Sequence, residues 1–409
     1  MAIVLFVKPY HHLFPPIGGG QLRSFHLLEE LSRQHEIHAV ILQPKEELRG
    51  VVDGYEFPAN VKVYNPVPQP APASGVARHF RRVKRAIYSR WLERSWRGPA
   101  NSLLLEAHVP IRNILRQNKI EVAIVENLHA LPVAPLIHRE SPQTTRVLLT
   151  YNVDHILLRQ EKQPEKLIQQ AHRQETHLAR FVDAYLTCSD DDREVFARLN
   201  DPACRGFTVP NGVDTARKPF DASPEKSAGK RILFCGVLTT EANQDGLLWF
   251  YREIWPVIVR REPEAKLIIV GAGKSRDEVL AIGRNPRIEF VGEVKDLIPH
   301  YRSTGISVVP LRIGSGTRLK ILEAMSLGNP VVSTTLGAEG IKAVNNEHLL
   351  LADTPQNFAE AVLKLMADRE LFDRLRHSAR RLVTEHYDWR VIGENLNNIV
   401  QSLAHAHRG

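Results

Sequence analysis

Short apolar segments alternate with amphipathic segments along this chain, and that alternation is the feature that most limits its fold. The segment QLRSFHLLEELSRQ places Leu22, Phe25, Leu28 and Leu31 on one face of a predicted helix. Strands that alternate with helices predict a parallel sheet covered on both faces. The apolar runs of the first half, each ending at a polar turn, are AIVLFV, IHAVIL, IEVAIVEN, TRVLLTYN and DAYLTCSD.

A second series of strands follows a polar junction, FTVPNGVDTARKPFDASPEKSAGK, whose prolines and small residues mark a domain boundary. We therefore predict an α/β fold with two Rossmann-like, doubly wound domains that face each other across a cleft. The predicted domains are residues 1–207 and 208–387, followed by a helical tail over 388–409. The strands of the second series are RILFCGVL, AKLIIVGAG, RIEFVGEV, GISVVPLR and PVVSTTLG.

Length and charge narrow the classes of function. A chain of 409 residues is expected to form two or three domains. A net charge of +8 favours an anionic partner, and nucleotide phosphates, nucleic acid and an anionic membrane all fit. The three cysteines show no metal-site or redox spacing, which indicates a reducing, cytoplasmic setting. We expect no signal peptide and no segment that spans a bilayer.

The segment GSGTRLKILEAMSLGNPVVST, over Gly314–Thr334, combines a glycine turn with charged residues on the first turns of a predicted helix. A helix N-terminus suits an anion, and Arg318 and Lys320 would add full charges beside a diphosphate. Glu323, about one turn later, could accept hydrogen bonds from the vicinal hydroxyls of a ribose. An ordinary helix in which Lys320 and Glu323 pair at i, i+3 explains the spacing equally well.

Two other glycine-rich turns follow predicted strands. Gly18–Gly20 could present backbone amides to an anion, although a simple tight turn is the favoured explanation of this segment alone. It does not match G-x-G-x-x-G, so a dinucleotide fold is poorly supported. VGAGKS lacks the first glycine of a P-loop and is predicted to be a strand-to-helix turn that lines the cleft.

Polar residues at strand ends are candidates for substrate contact. His129, in VENLHALP, follows one predicted strand, and Asp154 and His155 follow another. Each histidine taken singly is more often a surface residue. No group of histidine, cysteine and acidic residues has the spacing of a metal site, so no metal is predicted.

The segment VARHFRRVKRAIYSRWLERSWRG, over 76–98, is strongly basic and rich in aromatic residues. It could lie on an anionic membrane surface, bind nucleic acid, or form a solvated basic helix. We favour contact with a membrane or an anionic acceptor, and expect no nucleic acid because no nucleic-acid motif accompanies the segment. The predicted contact residues are Arg81, Arg82, Lys84, Arg85 and Trp91.

An ordered series of motifs resembles the retaining glycosyltransferases of the GT-B fold, glycosyltransferase family 4 (group 1), in the subset with the pattern G-x-G-T-R-L-K-x-L-E. The resemblance covers nearly the whole chain and is strongest from about Thr208 to Trp389. It implies that the helix that begins near HYDWR packs back on the first domain. The matching segments are VPNGVD, LFCGVL, KLIIVGAG, IEFVGEVKDLIPHY, VVPLRIGSGTRLKILEAMSLGNPVVSTTLGAEGI and HYDWR.

The resemblance implies transfer of a sugar from a UDP- or GDP-linked donor to an acceptor hydroxyl, with retention of anomeric configuration. It implies no cofactor and no metal ion. A saccharide or lipid-linked acceptor is expected, because the basic aromatic segment fits a lipid-linked saccharide. This suggests a role in cell-surface or extracellular polysaccharide assembly, in the cytoplasm or peripherally on the inner face of the cytoplasmic membrane.

The resemblance also implies site residues. Glu323 matches the second glutamate of the family's E-x7-E motif, which binds the donor ribose, whereas Ser315 stands where the first glutamate is usual. Arg318, Lys320 and His129 are the expected catalytic residues. The family usually has an Arg/Lys pair after the first strand of its second domain, but the corresponding segment here, GVLTTEANQDG, offers no cation. The expected donor-binding residues are Gly19, Gly20, Gly236, Val237, Gly271, Gly273, Val294, Gly314, Ser315, Gly316, Thr317, Leu319 and Glu323.

Two competing functions use the same motifs. A nucleotide-sugar epimerase of GT-B fold would turn over its substrate without an acceptor. A non-catalytic, membrane-associated protein that binds nucleotide sugars would show affinity for a donor and no turnover.

Overall fold

The computed structural model of this protein divides the chain into two compact units. Unit 1 comprises Met1–Arg159, Gln163–Val209 and Gly393–Gly409, and unit 2 comprises Gln160–Lys162 and Pro210–Ile392. The residues that the structure describes are 1–8, 13–14, 16, 18–43, 48, 51–52, 55–65, 104–223, 230–271, 273, 276–314 and 316–405.

Unit 1 contains a seven-stranded sheet in which every strand pairs with its neighbours in parallel. Its strands are β1 (Ile3–Lys8), β2 (Glu36–Ile41), β3 (Val51–Val52), β4 (Tyr55–Glu56), β5 (Lys62–Tyr64), β6 (Val122–Glu126), β7 (Thr145–Leu149), β8 (Ala184–Thr187) and β9 (Arg205–Thr208). The sheet runs in the order β5-β2-β1-β6-β7-β8-β9, while β3 and β4 form a small antiparallel pair.

The α-helices described in the first half of the chain are α1 (Gly19–Ser32), α2 (Leu104–Gln117), α3 (Ala134–Glu140), α4 (Asp154–Gln160), α5 (Glu165–Glu175) and α6 (Asp190–Leu199). Short 3₁₀ turns cover Leu128–Val133 and Leu178–Arg180. Ser189 immediately precedes α6, and its hydroxyl caps the helix by accepting a hydrogen bond from the Asp192 amide at 3.0 Å.

Unit 2 contains a six-stranded parallel sheet in the order β12-β11-β10-β13-β14-β15. Its strands are β10 (Arg231–Cys235), β11 (Lys266–Val270), β12 (Ile288–Gly292), β13 (Ile306–Val309), β14 (Val331–Ser333) and β15 (Leu350–Leu351). The helices of the second half are α7 (Glu241–Trp249), α8 (Trp255–Arg261), α9 (Asp277–Ile282), α10 (Ile298–Arg302), α11 (Leu319–Leu327), α12 (Pro355–Ala367), α13 (Arg369–His386) and α14 (Trp389–His405).

The apolar runs become strands because both faces of each sheet are covered. In β10, Ile232 and Phe234 lie in one apolar cluster with Phe358 of α12, whereas Leu233 lies in another with Ile321 of α11. Successive side chains of a strand point to opposite faces, so a strand buried on both sides needs an uninterrupted apolar sequence. The prediction of two Rossmann-like α/β units with parallel sheets is therefore confirmed.

The sequence prediction missed three of the four strands that lie at the sheet edges. Lys62–Tyr64 and Arg205–Thr208 lie at the two edges of the first sheet, and Leu350–Leu351 lies at one edge of the second. Strands β5 and β9 are short and only partly buried, so neither carries the continuous apolar run that marks a central strand. The chain after Arg369 forms two helices, α13 and α14, and the residues of α14 from Gly393 onward belong to unit 1.

No helix in the described part of the chain is both long enough and apolar enough to cross a membrane.

The packing of α7 predicts an unusual response to a glycine substitution. A Cβ atom at Gly246 would lie 2.6 Å from the carbonyl oxygen of Pro310. Alanine normally stabilises a helix relative to glycine by about 1 kcal/mol, but here the clash should dominate and cost about 2 kcal/mol. We expect Gly246→Ala to lower the melting temperature by about 4–8 °C in scanning calorimetry.

Gly283→Ala is the matched control. Its new Cβ atom would lie no closer than 3.4 Å to any neighbour, so its melting temperature should stay within about 2 °C of the wild type. A Gly246→Ala protein that melts at or above the wild-type temperature would contradict the packing described for α7.

Candidate functional site

The order of the strands in unit 2 reverses between β10 and β13. In open parallel sheets, ligands bind at the carboxyl ends of the strands where the order reverses. Strand β10 ends at Cys235 and continues into Gly236 and Val237, while β13 ends at Val309 and leads toward the glycine turn before α11. The folded chain thus brings two groups of predicted donor-binding residues to the same edge of one sheet.

The glycine turn before α11 requires glycine. Gly314 has φ = 126° and Gly316 has φ = 75°, which side chains other than glycine rarely adopt. A Cβ atom at Gly314 would lie 2.5 Å from Nη2 of Arg318, so the turn packs directly on that guanidinium group. The carbonyl of Thr317 accepts a hydrogen bond of 3.2 Å from the side-chain amide of Asn211. Arg318 is the residue that immediately precedes α11, and the turn therefore fixes its position at the start of this helix.

Lys320 is held at the carboxyl end of β10. Its Nζ atom donates a hydrogen bond of 2.7 Å to Oδ1 of Asn243 and lies 5.3 Å from the centre of the Phe234 ring. Asn243 in turn donates to the carbonyl of Val237 at 2.9 Å. Burial, together with the nearby Arg318 charge, lowers the pKa of Lys320 to about 8. The positive charge of Arg318 therefore disfavours the protonated form of the Lys320 amine.

Glu323 does not form the i, i+3 pair that was the alternative explanation of its spacing from Lys320. Its Oε1 atom accepts a hydrogen bond of 2.6 Å from Nζ of Lys218, which precedes it by 105 residues. The Glu323 side chain is 12% exposed and that of Lys218 is 16% exposed. The predicted pair between Lys320 and Glu323 is therefore wrong. The Glu323 carboxylate is partly buried at the same edge of the sheet.

Close backbone approach explains two other predicted glycines. A Cβ atom at Gly236 would lie 2.8 Å from the side-chain amide of Asn243, and one at Gly271 would collide with the carbonyl oxygen of Gly236. The amide of Gly271 also donates to the carbonyl of Gly292 at 2.9 Å. The chain segments that follow β10, β11 and β12 therefore lie side by side with little room for side chains.

The remaining predicted donor-binding residues of unit 2 lie at the rim of this region. Gly273 has φ = 95° and faces Thr239, and Val237 is exposed. Val294 and Leu319 are partly buried and pack against the apolar cluster on one side of the sheet. Their side chains can offer a ligand only apolar contact.

The charges at this edge are predominantly positive. The N-terminus of α11 carries a partial positive charge, and Arg318 and Lys320 add two full charges beside it. Arg312, the other cation of the same loop, donates to Asp245 at 2.6 Å and is neutralised there. Burial and the Glu323 carboxylate raise the pKa of the Cys235 thiol to about 11, so the thiol stays uncharged. This arrangement suits an anion such as a diphosphate.

Unit 1 has the same kind of reversal, between β1 and β6, but its polar groups neutralise each other. Lys8 and Glu126, the last residues of these strands, form a buried ion pair. Nζ of Lys8 also donates to Oγ of Ser24 at 3.1 Å, and this hydroxyl donates to the carbonyl of Gly20 at 2.7 Å. Gly19 and Gly20 are exposed and form the first turn of α1.

Tyr151 completes this buried network in unit 1. Its hydroxyl lies 2.6 Å from Oγ of Ser24, and its ring would be 3.8 Å from a Cβ atom at Gly20. Burial and the adjacent Glu126 carboxylate raise the pKa of Tyr151 well above its ordinary value. The hydroxyl therefore remains protonated and acts as a hydrogen-bonding group.

His129 lies in the turn that follows β6. Its amide donates to Oδ1 of Asn127 at 3.3 Å, and Asn127 has φ = 70°, so this asparagine caps the 3₁₀ turn Leu128–Val133. The local structure thus gives His129 a defined position after a central strand, and its catalytic role remains a prediction.

Several predicted residues lie outside the part of the chain that the structure describes, namely Ser315, Arg81, Arg82, Lys84, Arg85 and Trp91. Within the described residues, no group of three or more histidine, cysteine or acidic side chains could hold a metal ion.

Sequence reasoning missed Lys218 and Asn243. Lys218 lies in the polar junction before unit 2, where nothing in the local pattern distinguishes it from a solvated lysine. Asn243 lies in the segment GVLTTEANQDG, which offers no cation and whose local pattern does not indicate a contact with Lys320. The structure shows that this segment contributes the acceptor for Lys320 instead.

Two family models match successive stretches of the chain. The model described as "Glycosyltransferase Family 4" matches residues 17–217, and the model described as "Glycosyl transferases group 1" matches residues 229–368. Together they extend over most of the sequence.

Curated relatives are similar over about half of the chain. Glycogen synthase of Mycobacterium tuberculosis is 28% identical over 236 residues, which is 55% of this chain and 56% of the relative. A "GDP-mannose-dependent monoacylated alpha-(1-6)-phosphatidylinositol monomannoside mannosyltransferase" of Corynebacterium glutamicum is 25% identical over 47% of this chain and 55% of its own. This chain thus spans little more than half the length of these relatives.

Solved structures share the fold along nearly the whole chain. HepE of Anabaena, in a crystal structure with UDP-glucose, has a TM-score of 0.68 at 14% identity and covers 98% of this chain and 100% of its own. Similarity at this level of identity extends to the fold alone.

The lowered pKa of Lys320 predicts an effect on stability at alkaline pH. The folded chain loses the Lys320 proton near pH 8, whereas the unfolded chain keeps it to about pH 10.5. Between these values the unfolded state binds more protons, so the contribution of Lys320 to the free energy of unfolding rises with pH. We expect the melting temperature of wild type minus that of Lys320→Met to increase from pH about 7 to about 10.

Lys266→Met, which removes a lysine from the exposed first residue of β11, is the matched control, and the rise with pH should be specific to Lys320→Met. If the Lys320→Met difference is flat or falls as pH rises, Lys320 is not buried beside positive charge.

Proposed function

We propose that this chain, which belongs to the group 1 and family 4 glycosyltransferases with the GT-B fold, moves a sugar from a nucleoside diphosphate donor to an acceptor hydroxyl. One observation carries the proposal. Arg318 and Lys320 are held beside the N-terminus of α11, at the edge of the sheet where a parallel α/β unit binds ligands. A pyrophosphate group supplies the negative charge that this arrangement favours.

The same residues support a mechanism for the departure of the donor's leaving group. When the bond between the anomeric carbon and the phosphate oxygen breaks, negative charge grows on the nucleoside diphosphate. Arg318, Lys320 and the amides at the start of α11 would stabilise that charge. The departing phosphate oxygen takes the proton of the acceptor hydroxyl, while the acceptor oxygen bonds the anomeric carbon on the same face. Anomeric configuration is retained in this scheme.

Glu323 would bind the ribose of the donor. It lies about one turn beyond Lys320 in α11, a spacing that suits a ribose next to a diphosphate. A carboxylate can accept hydrogen bonds from both vicinal hydroxyls. In this proposal the two cations contact the diphosphate, and Glu323 contacts the sugar of the nucleoside.

We propose a UDP- or GDP-linked donor and a saccharide or lipid-linked acceptor. The relative from Corynebacterium is named as GDP-mannose-dependent, and the HepE structure holds UDP-glucose. The acceptor is proposed from the basic aromatic segment 76–98, which also suggests peripheral contact with an anionic membrane and a role in surface polysaccharide assembly. The proposal of sugar transfer does not depend on any one of these assignments.

The function is tested by a thermal-shift screen of UDP-, GDP-, ADP- and dTDP-sugars, followed by transfer assays with the donor that stabilises the protein. We expect one donor to raise the melting temperature, and product to form only when an acceptor is added, with EDTA leaving the rate unchanged. Turnover of the donor to an isomeric nucleotide sugar without an acceptor would establish the epimerase instead. Binding without turnover across saccharide and lipid-linked acceptors would support the non-catalytic protein.

Lys320→Met should slow sugar transfer by about a hundredfold or more, because it removes a cation directed at the charge that develops on the leaving group. The measurement is kcat with saturating donor and acceptor. Lys266→Met changes the same residue type at the other end of a neighbouring strand and should leave kcat unaltered. Wild-type kcat in Lys320→Met would refute the role assigned to this lysine.

A further inference from the structure

The ion pair between Lys218 and Glu323 is better fixed than an ordinary surface pair. Its two side chains are 16% and 12% exposed, and Nζ lies 2.6 Å from Oε1. Within the residues that the structure describes, Oε2 of Glu323 accepts no hydrogen bond. One oxygen of the carboxylate is thus occupied by a cation and the other is open.

The backbone of Lys218, like its side chain, forms a hydrogen bond to helix α11. Its carbonyl accepts hydrogen bonds from Oγ of Ser326 at 2.7 Å and from Nη1 of Arg380 at 3.1 Å. Ser326 lies three residues after Glu323 in α11. Arg380 also donates to the carbonyl of Thr215 at 3.1 Å, which fixes the chain leading to Lys218. Because these contacts already fix the backbone of Lys218, this residue loses little further conformational entropy when it orients Glu323.

Lys218 also decides which cation Glu323 contacts. Lys320 precedes Glu323 by three residues in the same helix, a spacing at which lysine and glutamate side chains readily pair. In the structure Lys320 instead donates to Asn243, and Glu323 accepts from Lys218. Without Lys218, Lys320 would be the nearest cation available to Glu323 along α11, and the carboxylate would turn toward it.

We propose that Lys218 is a positioning residue that holds the Glu323 carboxylate so that Oε2 faces the vicinal hydroxyls of a nucleotide ribose. The inference rests on the proposed function, because it assumes that a nucleoside diphosphate occupies the carboxyl edge of the unit 2 sheet. It adds a residue from the junction segment before unit 2 to the binding of the donor.

The test compares nucleotides that differ only in the ribose hydroxyls. Calorimetric titration measures Kd for UDP and 2′,3′-dideoxy-UDP, and for GDP and 2′,3′-dideoxy-GDP, with wild type and Lys218→Met. For the base that it binds, wild type should prefer the ribonucleotide by roughly tenfold to a hundredfold, as expected for hydrogen bonds to a charged group. In Lys218→Met this preference should fall to within about threefold, with the affinity for the dideoxy nucleotide little changed.

Three variants separate positioning from a general effect of charge or stability. Lys218→Arg keeps the cation and should retain most of the ribose preference. Lys266→Met should retain all of it. In a Glu323→Gln background, Lys218→Met should have no further effect, because both substitutions act on the same contact. Lys218→Gln provides the same comparison if the methionine variant melts too low to be titrated.

The outcomes are distinguishable. A ribose preference that survives in Lys218→Met overturns the inference, and so does an equal loss of affinity for both nucleotides, which would place Lys218 on the phosphates. A wild type that binds none of UDP, GDP, ADP and dTDP refutes the proposed function itself, and the inference with it.

Discussion

Positive charge concentrated at one helix end is the constraint on which the rest of unit 2 depends. Arg318 and Lys320 stand beside the N-terminus of α11, where the helix dipole disfavours cations. Burial and the charge of Arg318 also lower the pKa of Lys320 to about 8. Glu323, an acid of the same helix, is bound to Lys218 and only partly opposes this lowering. An arrangement that is unfavourable for the protein alone is understandable if its counter-charge is an anion bound from outside.

The local structure around this charge is built to keep it in place. Positive φ angles at Gly314 and Gly316 let the chain wrap the Arg318 guanidinium, and the Phe234 ring lies below the Lys320 amine. Asn243 can reach Lys320 only because Gly236 has no side chain to displace it. Each of these contacts comes from a different segment, and the reversal of strand order between β10 and β13 is what brings the segments together.

The sequence predicts the periodic parts of this structure and the residues of a single motif. Central strands such as Arg231–Cys235 are buried on both faces, so their apolar runs are unmistakable, and Gly314, Arg318, Lys320 and Glu323 lie within ten residues of each other. The edge strands Lys62–Tyr64, Arg205–Thr208 and Leu350–Leu351 lack such a run. The partner of Glu323 could not be predicted either, because an ion pair across 105 residues depends on tertiary packing and leaves no local pattern around Lys218.

The two units share a sheet topology but differ in the charge at the carboxyl edge of the sheet. Both sheets reverse their strand order, and in both the reversal places a lysine near a glutamate at the carboxyl edge. In unit 1, Lys8 is bound by Glu126 itself, so this buried pair has no net charge to offer a ligand. In unit 2, Glu323 is bound by a second lysine, Lys218, and Lys320 donates its hydrogen bond to the neutral side chain of Asn243. The charge that each carboxyl edge offers therefore depends on which lysine the glutamate contacts, and the fold alone does not decide it.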